Sequence, residues 1–301
     1  MSTLFSYFFE KINQIRPQEA NFTKVLSSIA VMPEMLYYYG KIPENMVKTV
    51  AIVGSRHNTR YGEEVAYKIS YELAKRGVII VSGLAFGIDS IAHRAALDAG
   101  GTTIAILGTP INEIYPRNHL PLAKEIVEKG GAVMSEYGPK VKCYPESSSF
   151  LQRNRIISGL SDVVIVVEAA EKSGSLNTAT HALNQGKEIF AVPGNINNPY
   201  SKGCNKLIKE GANPYTELDD VLKVLFPEQF VKKKKKVSQP LLFGDSEEEL
   251  KILKALSEGI ENGEEIIKKT GLSTEIFNET ITLLEIKDSV SSLGANNWML
   301  K

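Results

Sequence analysis

The sequence predicts an α/β protein built on a parallel sheet, followed by a small helical module. Between Lys48 and about Phe226, short apolar runs alternate with amphipathic stretches, as in repeated βαβ units. The apolar runs are hydrophobic at successive positions, which suits strands covered on both faces. After residue 246, three short helical stretches and a terminal hairpin outline a winged helix.

Six strands and the helices between them follow from this alternation. Helices are predicted at 63–77 and 87–101, because apolar residues recur at helical spacing and each stretch ends at glycine. The strands, in chain order, are TVAIV at 49–53, VIIVSG at 78–83, TTIAIL at 102–107, GAVMSE at 131–136, DVVIVVEA at 162–169 and EIFAVPG at 188–194.

Composition shifts divide the chain into four segments. Residues 1–45 are too short for a domain and rich in tyrosine and methionine, so we expect a helical extension packed on the core. Residues 46–226 form the α/β domain. Residues 227–245 contain proline, glycine and the lysine run 232–236, which indicates a linker. Residues 246–301 form the winged helix, whose third helix is rich in glutamate and therefore a poor candidate for the major groove.

Composition restricts the possible functions. The chain has 301 residues with 35 basic and 35 acidic side chains, so any site for a polyanion must be local. The two cysteines stand far apart, which fits a reducing compartment. We find neither a leader nor an apolar run of membrane-spanning length, and we expect a soluble, cytoplasmic protein without membrane contacts. Cysteine and histidine do not cluster, so we expect no metal and no cofactor.

Glycine turns follow several predicted strands. Gly54-Ser55-Arg56 comes after the first strand and offers a hydroxyl and a guanidinium to a phosphate. The loop from Gly83 to Phe86 follows the second strand, and open α/β sheets bind ligands at such strand ends. Asp89 and His93 lie four residues apart on the next helix. They could be a catalytic acid and base, but a capping carboxylate and a packed histidine are favoured.

Two further segments add aromatic and basic groups. Phe150 precedes Arg153, Asn154 and Arg155, a combination suited to base stacking and phosphate neutralisation, although a core position for Phe150 is equally open. Ser173, Gly174 and Ser175 open a helix after the fifth strand and offer hydroxyl and backbone N–H groups. With Lys187 before the sixth strand, we expect a basic crevice lined by Arg56, Arg153, Arg155 and Lys187.

Seven segments together resemble the DNA processing protein A (DprA, also called Smf) family over nearly the whole chain. They are VAIVGSR, SGLAFGIDSIAH, IYP, SEY, RNRIISGLSD, VVEAAEKSGSL and AVPGNINNPYSKGCNKLIKEGA. The resemblance implies an extended Rossmann-like domain with a C-terminal winged helix. It also implies a homodimer that binds single-stranded DNA without catalysis, protects incoming DNA during natural transformation and loads the RecA recombinase.

Carried over residue by residue, the resemblance implies a DNA pocket of Ser55, Arg56, the loop around Gly83, Phe150, Arg153, Asn154, Ser173 to Ser175, and Lys187. This sequence departs from the family at Phe86, where a basic residue is frequent. It also departs at Leu151, where many members have proline.

Two other functions remain open. A nucleotide phosphoribohydrolase of the lysine-decarboxylase-like type uses similar glycine turns, but it needs a glutamate where this chain has His181. A sensor of small nucleotides would use the same crevice. Binding that requires several linked phosphates would separate a strand binder from that sensor.

Overall fold

The computed structural model describes residues 11–141, 147–233 and 246–300. The chain divides into two compact units, Met1–Pro227 and Glu228–Lys301. Each unit has its own apolar core, and the candidate site lies in the first.

The first unit contains a sheet of nine strands within the described residues. From one edge to the other, the strand order is β1-β2-β6-β5-β4-β3-β7-β8-β9. The strands from β3 to β9 pair in parallel, whereas β1 and β2 pair antiparallel at one edge. The predicted α/β fold on a parallel sheet is therefore confirmed. The strands are β1 (Asn13–Ile15), β2 (Leu36–Gly40), β3 (Thr49–Val53), β4 (Ile79–Ser82), β5 (Thr103–Leu107), β6 (Ala132–Ser135), β7 (Val163–Val166), β8 (Glu188–Ala191) and β9 (Asn213–Pro214).

Helices cover both faces of this sheet. Val50 and Ile52 of β3 share one core with residues of α1, α2 and α7, whereas Ala51 and Val53 pack on the other side with residues of α4 and α5. Alternate residues of a strand point to opposite faces, which explains why a central strand is apolar throughout. The helices are α1 (Arg60–Lys75), α2 (Ile88–Asp98), α3 (Leu120–Glu128), α4 (Ser147–Gly159), α5 (Gly174–Asn184), α6 (Lys202–Lys209) and α7 (Leu218–Leu225).

The N-terminal segment differs from the prediction. Residues 1–10 lie outside the described residues, and residues 11–45 contain β1, β2 and two short 3₁₀ helices rather than a longer helix. Leu36 of β2 and the nearby Leu26 are fully buried in the sheet core. The prediction of a helical extension is wrong there, because the tyrosine-rich run of β2 pairs with β6, the last strand of the parallel part of the sheet.

The strand order reverses next to β3. Strands β4, β5 and β6 follow on one side of it, and β7 and β8 lie on the other. Ligands of open α/β sheets bind outside the carboxyl ends of the strands at such a reversal. The turn after β3 and the loop after β7 meet at this point.

The second unit is a small helical module with a hairpin. Helices α9 (Glu247–Ser257), α10 (Gly263–Thr270) and α11 (Thr274–Ile286) enclose a core, and β10 (Val290–Gly294) pairs antiparallel with β11 (Asn297–Leu300). The predicted linker begins as helix α8 (Pro227–Lys233), and its residues 234–245 lie outside the described ones. Most of the lysine run falls in that part of the chain.

Within the described residues, every helix is too short or too polar to cross a lipid bilayer.

Candidate nucleic-acid interface

A cleft of about 690 Å³ opens at the carboxyl ends of β3 and β7. The loops that follow β3, β4, β5, β7 and β8 line it together with α4. The cleft therefore lies at the strand reversal, as expected for this class of sheet. A much smaller notch of about 30 Å³ shares Arg56, Tyr115, Phe150 and Arg153 with the cleft. The other polar and aromatic groups that line the cleft are Ser55, His57, Asp89, Asn154, Lys172, Ser173, Ser175, Thr178 and Tyr200.

Arg56 places a cation at the mouth of the cleft. The Ser55 amide donates to the Glu168 carbonyl at 2.7 Å, and the Ser55 hydroxyl accepts from the His57 amide at 3.0 Å, which fixes the turn. The Arg56 side chain is exposed, and its guanidinium carbon lies 5.5 Å from the centre of the Phe150 ring. The guanidinium therefore remains available to an anion while one face rests on an aromatic ring.

The carboxylate of Glu168 joins this turn to the following helix. Its two oxygens accept from the Thr59 amide at 2.8 Å and from the Thr59 hydroxyl at 2.6 Å. Thr59 in turn caps α1 by accepting from the Gly62 amide. Because Glu168 follows β7, one buried carboxylate connects the loops after two neighbouring strands.

Phe150 and Tyr115 form an aromatic wall beside Arg56. The centres of their rings are 5.4 Å apart at an angle of 40° between planes. Phe150 is half-buried rather than a core residue, and a Cβ at Gly108 would lie 2.7 Å from its ring. Glycine at position 108 therefore lets Phe150 pack close to the backbone while it still faces the cleft.

Arg153 forms part of the floor, and its side chain is buried rather than projecting outward. Its Nη1 donates to the carbonyl of Gly83 at 2.8 Å and also to the carbonyl of Ile106. Burial lowers the pKa of Arg153 to about 10, and the charge of Asp89 opposes that shift. Arg153 therefore stays protonated at neutral pH and contributes positive potential from below.

Asp89 organises the loop above this floor. Its carboxylate accepts from the amides of Gly83 at 3.1 Å and Ala85 at 3.4 Å. Burial raises the pKa of Asp89, whereas Arg153 and these two amides lower it. His93 is fully buried with Nδ1 2.7 Å from the Thr103 hydroxyl, as expected for a packed histidine. Asp89 differs from the expected cap, because it bonds to the loop before α2 rather than to the first amides of that helix.

The amino end of α5 forms the opposite wall. Ser173 caps the helix by accepting from the Ser175 amide, and the two hydroxyls lie 2.7 Å apart. Asn154 donates from its amide nitrogen to the Gly174 carbonyl at 3.2 Å, which joins α4 to this loop. Gly174 is exposed and lines the cleft, so the positive end of the helix dipole lies at this wall.

Two predicted residues, Arg155 and Lys187, do not line the cleft, and each exclusion has a geometric cause. Arg155 forms a buried ion pair with Glu136, with 2.7 Å between Nη2 and Oε2, and it does not line the cleft. Residues two apart on a helix point about 200° apart, so Arg153 and Arg155 cannot both face one side.

Lys187 precedes β8 and therefore lies at the amino ends of the strands, on the order of 13 Å from their carboxyl ends. Burial lowers the pKa of Lys187, against the attraction of Asp162.

The remaining predicted residues come together, with additions that the sequence reasoning missed. Gly83 and Phe86 line the notch, and the others line the main cleft. Tyr115, Lys172 and Tyr200 are not among the predicted site residues, although all three lie inside segments that resemble the family. Their position in loops after strands was the available signal. Within the described residues, acidic, histidine and cysteine side chains form no group of three that could hold a metal ion.

Known proteins with similar sequences share this α/β unit. A family profile described as DNA recombination-mediator protein A matches residues 13–226. The chain is 49% identical to Protein Smf of Escherichia coli over 193 residues, which cover 64% of this chain and 51% of that protein. It is 41% identical to DNA processing protein DprA of Bacillus subtilis over 229 residues, 76% of each chain. The chain thus spans about half the length of the first relative.

Two solved structures are similar in fold and sequence. DprA from Streptococcus pneumoniae superposes with a TM-score of 0.65 at 40% identity, over 72% of this chain and 75% of that one. The DprA structure from Helicobacter pylori, described for its single-stranded DNA binding mode, superposes with a TM-score of 0.63 at 32% identity. This match covers 72% of this chain and 97% of that one. Because the family profile matches most of the chain and the relatives share its α/β unit, this protein belongs to the DprA/Smf family.

Proposed function

We propose that this protein binds single-stranded DNA in the cleft at the carboxyl ends of β3 and β7. The observation that carries the proposal is the pairing of the exposed Arg56 guanidinium with the face of Phe150, 5.5 Å away. This pairing offers a phosphate contact and a stacking surface to neighbouring parts of one nucleotide. Single-strand binders combine these two elements.

The charge around the cleft supports a polyanionic ligand. Arg56 and Lys172 are exposed at its mouth, Arg153 lies in its floor, and the α5 amino end adds a partial positive charge. Asp89 is the acidic side chain among the residues that line the described cleft, and it faces two backbone amides. The cleft is therefore locally positive in a chain with zero net charge.

The aromatic wall supports an unpaired strand over a duplex. Phe150 can stack only on a base whose face is accessible, and base pairs within a duplex already stack on one another. We expect little sequence preference, because every base presents an aromatic face.

The same lining supports binding without catalysis. Asp89 is buried and its carboxylate is occupied by the amides of Gly83 and Ala85. A nucleotide phosphoribohydrolase would need a glutamate at position 181. This chain has His181 there, and His181 is not among the residues that line the cleft. A ribosyl cation would therefore lack an accessible carboxylate within the described part of the site.

The broader role is proposed from the family. In this role the protein is a homodimer that protects incoming DNA during natural transformation and loads RecA onto it. The three helices and hairpin of the second unit would form a winged helix for protein contacts, since α11 carries Glu275, Glu279 and Glu285. Light scattering would test the dimer, and formation of RecA filaments on a coated strand would test loading.

Fluorescence anisotropy of a labelled thymidine homopolymer tests the proposed binding. Wild type and Arg56→Ala are titrated at several salt concentrations, with duplex and mononucleotide competitors. Arg94→Ala is the matched control, because Arg94 is an exposed arginine on α2 that does not line the cleft.

We expect salt-sensitive binding that resists both competitors. The slope of log K against log salt should fall by about 0.7 in Arg56→Ala, as expected for one lost phosphate contact on a single strand. Arg94→Ala should match wild type. Displacement of the homopolymer by a mononucleotide would favour the small-nucleotide sensor. An unchanged salt slope in Arg56→Ala would mean that the DNA strand binds outside this cleft.

A further inference from the structure

Phe86 is an exposed aromatic side chain at the rim of the candidate site. It is 45% exposed and lines the notch beside the main cleft, next to Tyr115, which is 42% exposed. Large apolar side chains are usually buried, so two exposed rings that line the same notch call for a physical reason.

The loop that carries Phe86 is held firmly from three sides. Arg153 bonds to the carbonyl of Gly83, Asp89 accepts from the amides of Gly83 and Ala85, and the ring of His119 contacts the Leu84 carbonyl through Nδ1 at 2.8 Å. Leu84 has a φ of 60° and is fully buried. A left-handed conformation at leucine costs on the order of 1–2 kcal/mol, so the surrounding contacts must maintain it.

These restraints determine where Phe86 points. Leu84 is anchored in the core, and Phe86, two residues later, projects outward at the rim. The edge-on ring of His119, with its centre 4.8 Å away at 67°, braces Phe86. The ring is therefore held in a defined orientation although it is poorly covered by protein, which is the condition for a preorganised stacking surface.

Resting on the proposed single-strand function, we propose that Phe86 is a second base-stacking surface for the nucleotide adjacent to the one on Phe150. The notch of about 30 Å³ is too small to enclose a base, so the second base lies on an open surface rather than in a pocket. The ligand class is a single strand with at least two consecutive unstacked bases.

Arg56 connects the two stacking positions. It lines both the cleft and the notch, and its guanidinium lies over Phe150. The phosphate that links two such bases falls between the aromatic surfaces, where this guanidinium can reach it. One arginine and two phenylalanines then recognise a dinucleotide step by its shape and charge, independently of base identity.

The test separates base stacking from phosphate attraction. Anisotropy titrations use wild type, Phe86→Ala, Phe86→Leu and Phe86→Trp with a thymidine homopolymer and with an abasic strand of equal length. Phe86→Leu keeps an apolar side chain but has no ring face, whereas Phe86→Trp keeps one.

For the homopolymer, Phe86→Ala and Phe86→Leu should bind about 5- to 30-fold more weakly, the lower part of the range for loss of one stacked base. Phe86→Trp should bind as tightly as wild type or tighter. The salt slope should stay constant across all four proteins, because no phosphate contact is removed. On the abasic strand the four proteins should bind equally.

Wild-type affinity in Phe86→Ala would overturn the second stacking surface. An equal loss on the homopolymer and the abasic strand would also overturn it, because the role of Phe86 would then be structural. Failure of the proposed function is distinguishable, since wild type itself would not bind the homopolymer.

Discussion

The guanidinium of Arg153 lies directly against the backbone of Gly83. Its Nη1 donates to the Gly83 carbonyl at 2.8 Å, and a Cβ at position 83 would lie only 2.6 Å from the guanidinium nitrogens. The loop after β4 and the helix α4 are thus fitted to each other through a glycine. The floor of the cleft depends on that fit.

Gly83→Ala should displace the Arg153 side chain from its two carbonyl partners. We expect the free energy of unfolding to fall by about 1–3 kcal/mol, because a methyl group overpacks the site and leaves a buried donor unsatisfied. Strand affinity should fall as well. Urea denaturation and anisotropy measure the two effects.

Arg153→Lys is the companion variant. It keeps the charge but lacks both the Nε that donates to the Asn154 side chain and the planar group whose Nη1 bonds to the two carbonyls. We therefore expect a similar loss of stability. Wild-type stability and affinity in both variants would show that the fit between Gly83 and Arg153 is unimportant.

Arg155→Ala should affect stability and leave the binding mode unchanged. Arg155 and Glu136 form a buried ion pair, so removing one partner should cost about 3–5 kcal/mol of unfolding free energy. Urea denaturation measures this cost, and anisotropy should give the wild-type salt slope for the folded protein. A slope reduced by about 0.7 would instead assign Arg155 a phosphate contact.

Lys172 and Lys187 lie at opposite ends of the parallel strands, so their alanine variants can be compared directly. Lys172 is exposed and lines the cleft, whereas Lys187 is half-buried before β8. Lys172→Ala should lower the salt slope by up to about 0.7, and Lys187→Ala should leave it unchanged. A lower salt slope in Lys187→Ala with an unchanged slope in Lys172→Ala would contradict the proposed position of the DNA strand in the cleft.

His93 should make stability dependent on pH. Burial, with smaller contributions from His119 and Arg153, lowers the pKa of His93 from 6.5 to about 3. The unfolded state therefore binds more protons between these values, and the free energy of unfolding should fall as pH falls from 6.5 towards 3. The slope from this group is at most about 1.4 kcal/mol per pH unit.

Denaturation of wild type and His93→Gln between pH 4 and pH 7 isolates this contribution. Glutamine retains a polar group near Thr103 but does not titrate, so the variant should show a shallower dependence on pH. Parallel curves for the two proteins would exclude His93 as the source.

The central strands could be predicted from sequence because their own residues determine them. The run TVAIV at 49–53 coincides with β3, since an apolar run buried on both faces needs no further information. The strand β2 could not be predicted in this way. Its tyrosine-rich residues form a strand only because β6 offers an unpaired edge, and this partner is about a hundred residues away in the chain.

The candidate site shows the same division. Ser55, Arg56 and Ser173 line the cleft where the sequence places them, because a strand end with a glycine turn is a local signal. Arg155 was expected in the cleft because of its charge alone, whereas its angular position on α4 directs it away from Arg153. Lys187 was misplaced because it comes before its strand, and only residues after a parallel strand reach this edge.

The carboxylate of Glu168 has a consequence for how fast the protein captures its ligand. By bonding to Thr59 while its own carbonyl accepts from Ser55, Glu168 fixes two walls of the cleft in advance. In the proposed binding, a DNA strand would then meet an open and already ordered surface, and its capture should be limited by diffusion and charge steering rather than by a conformational change. Differences in affinity among variants should therefore arise mainly from how long the strand stays bound.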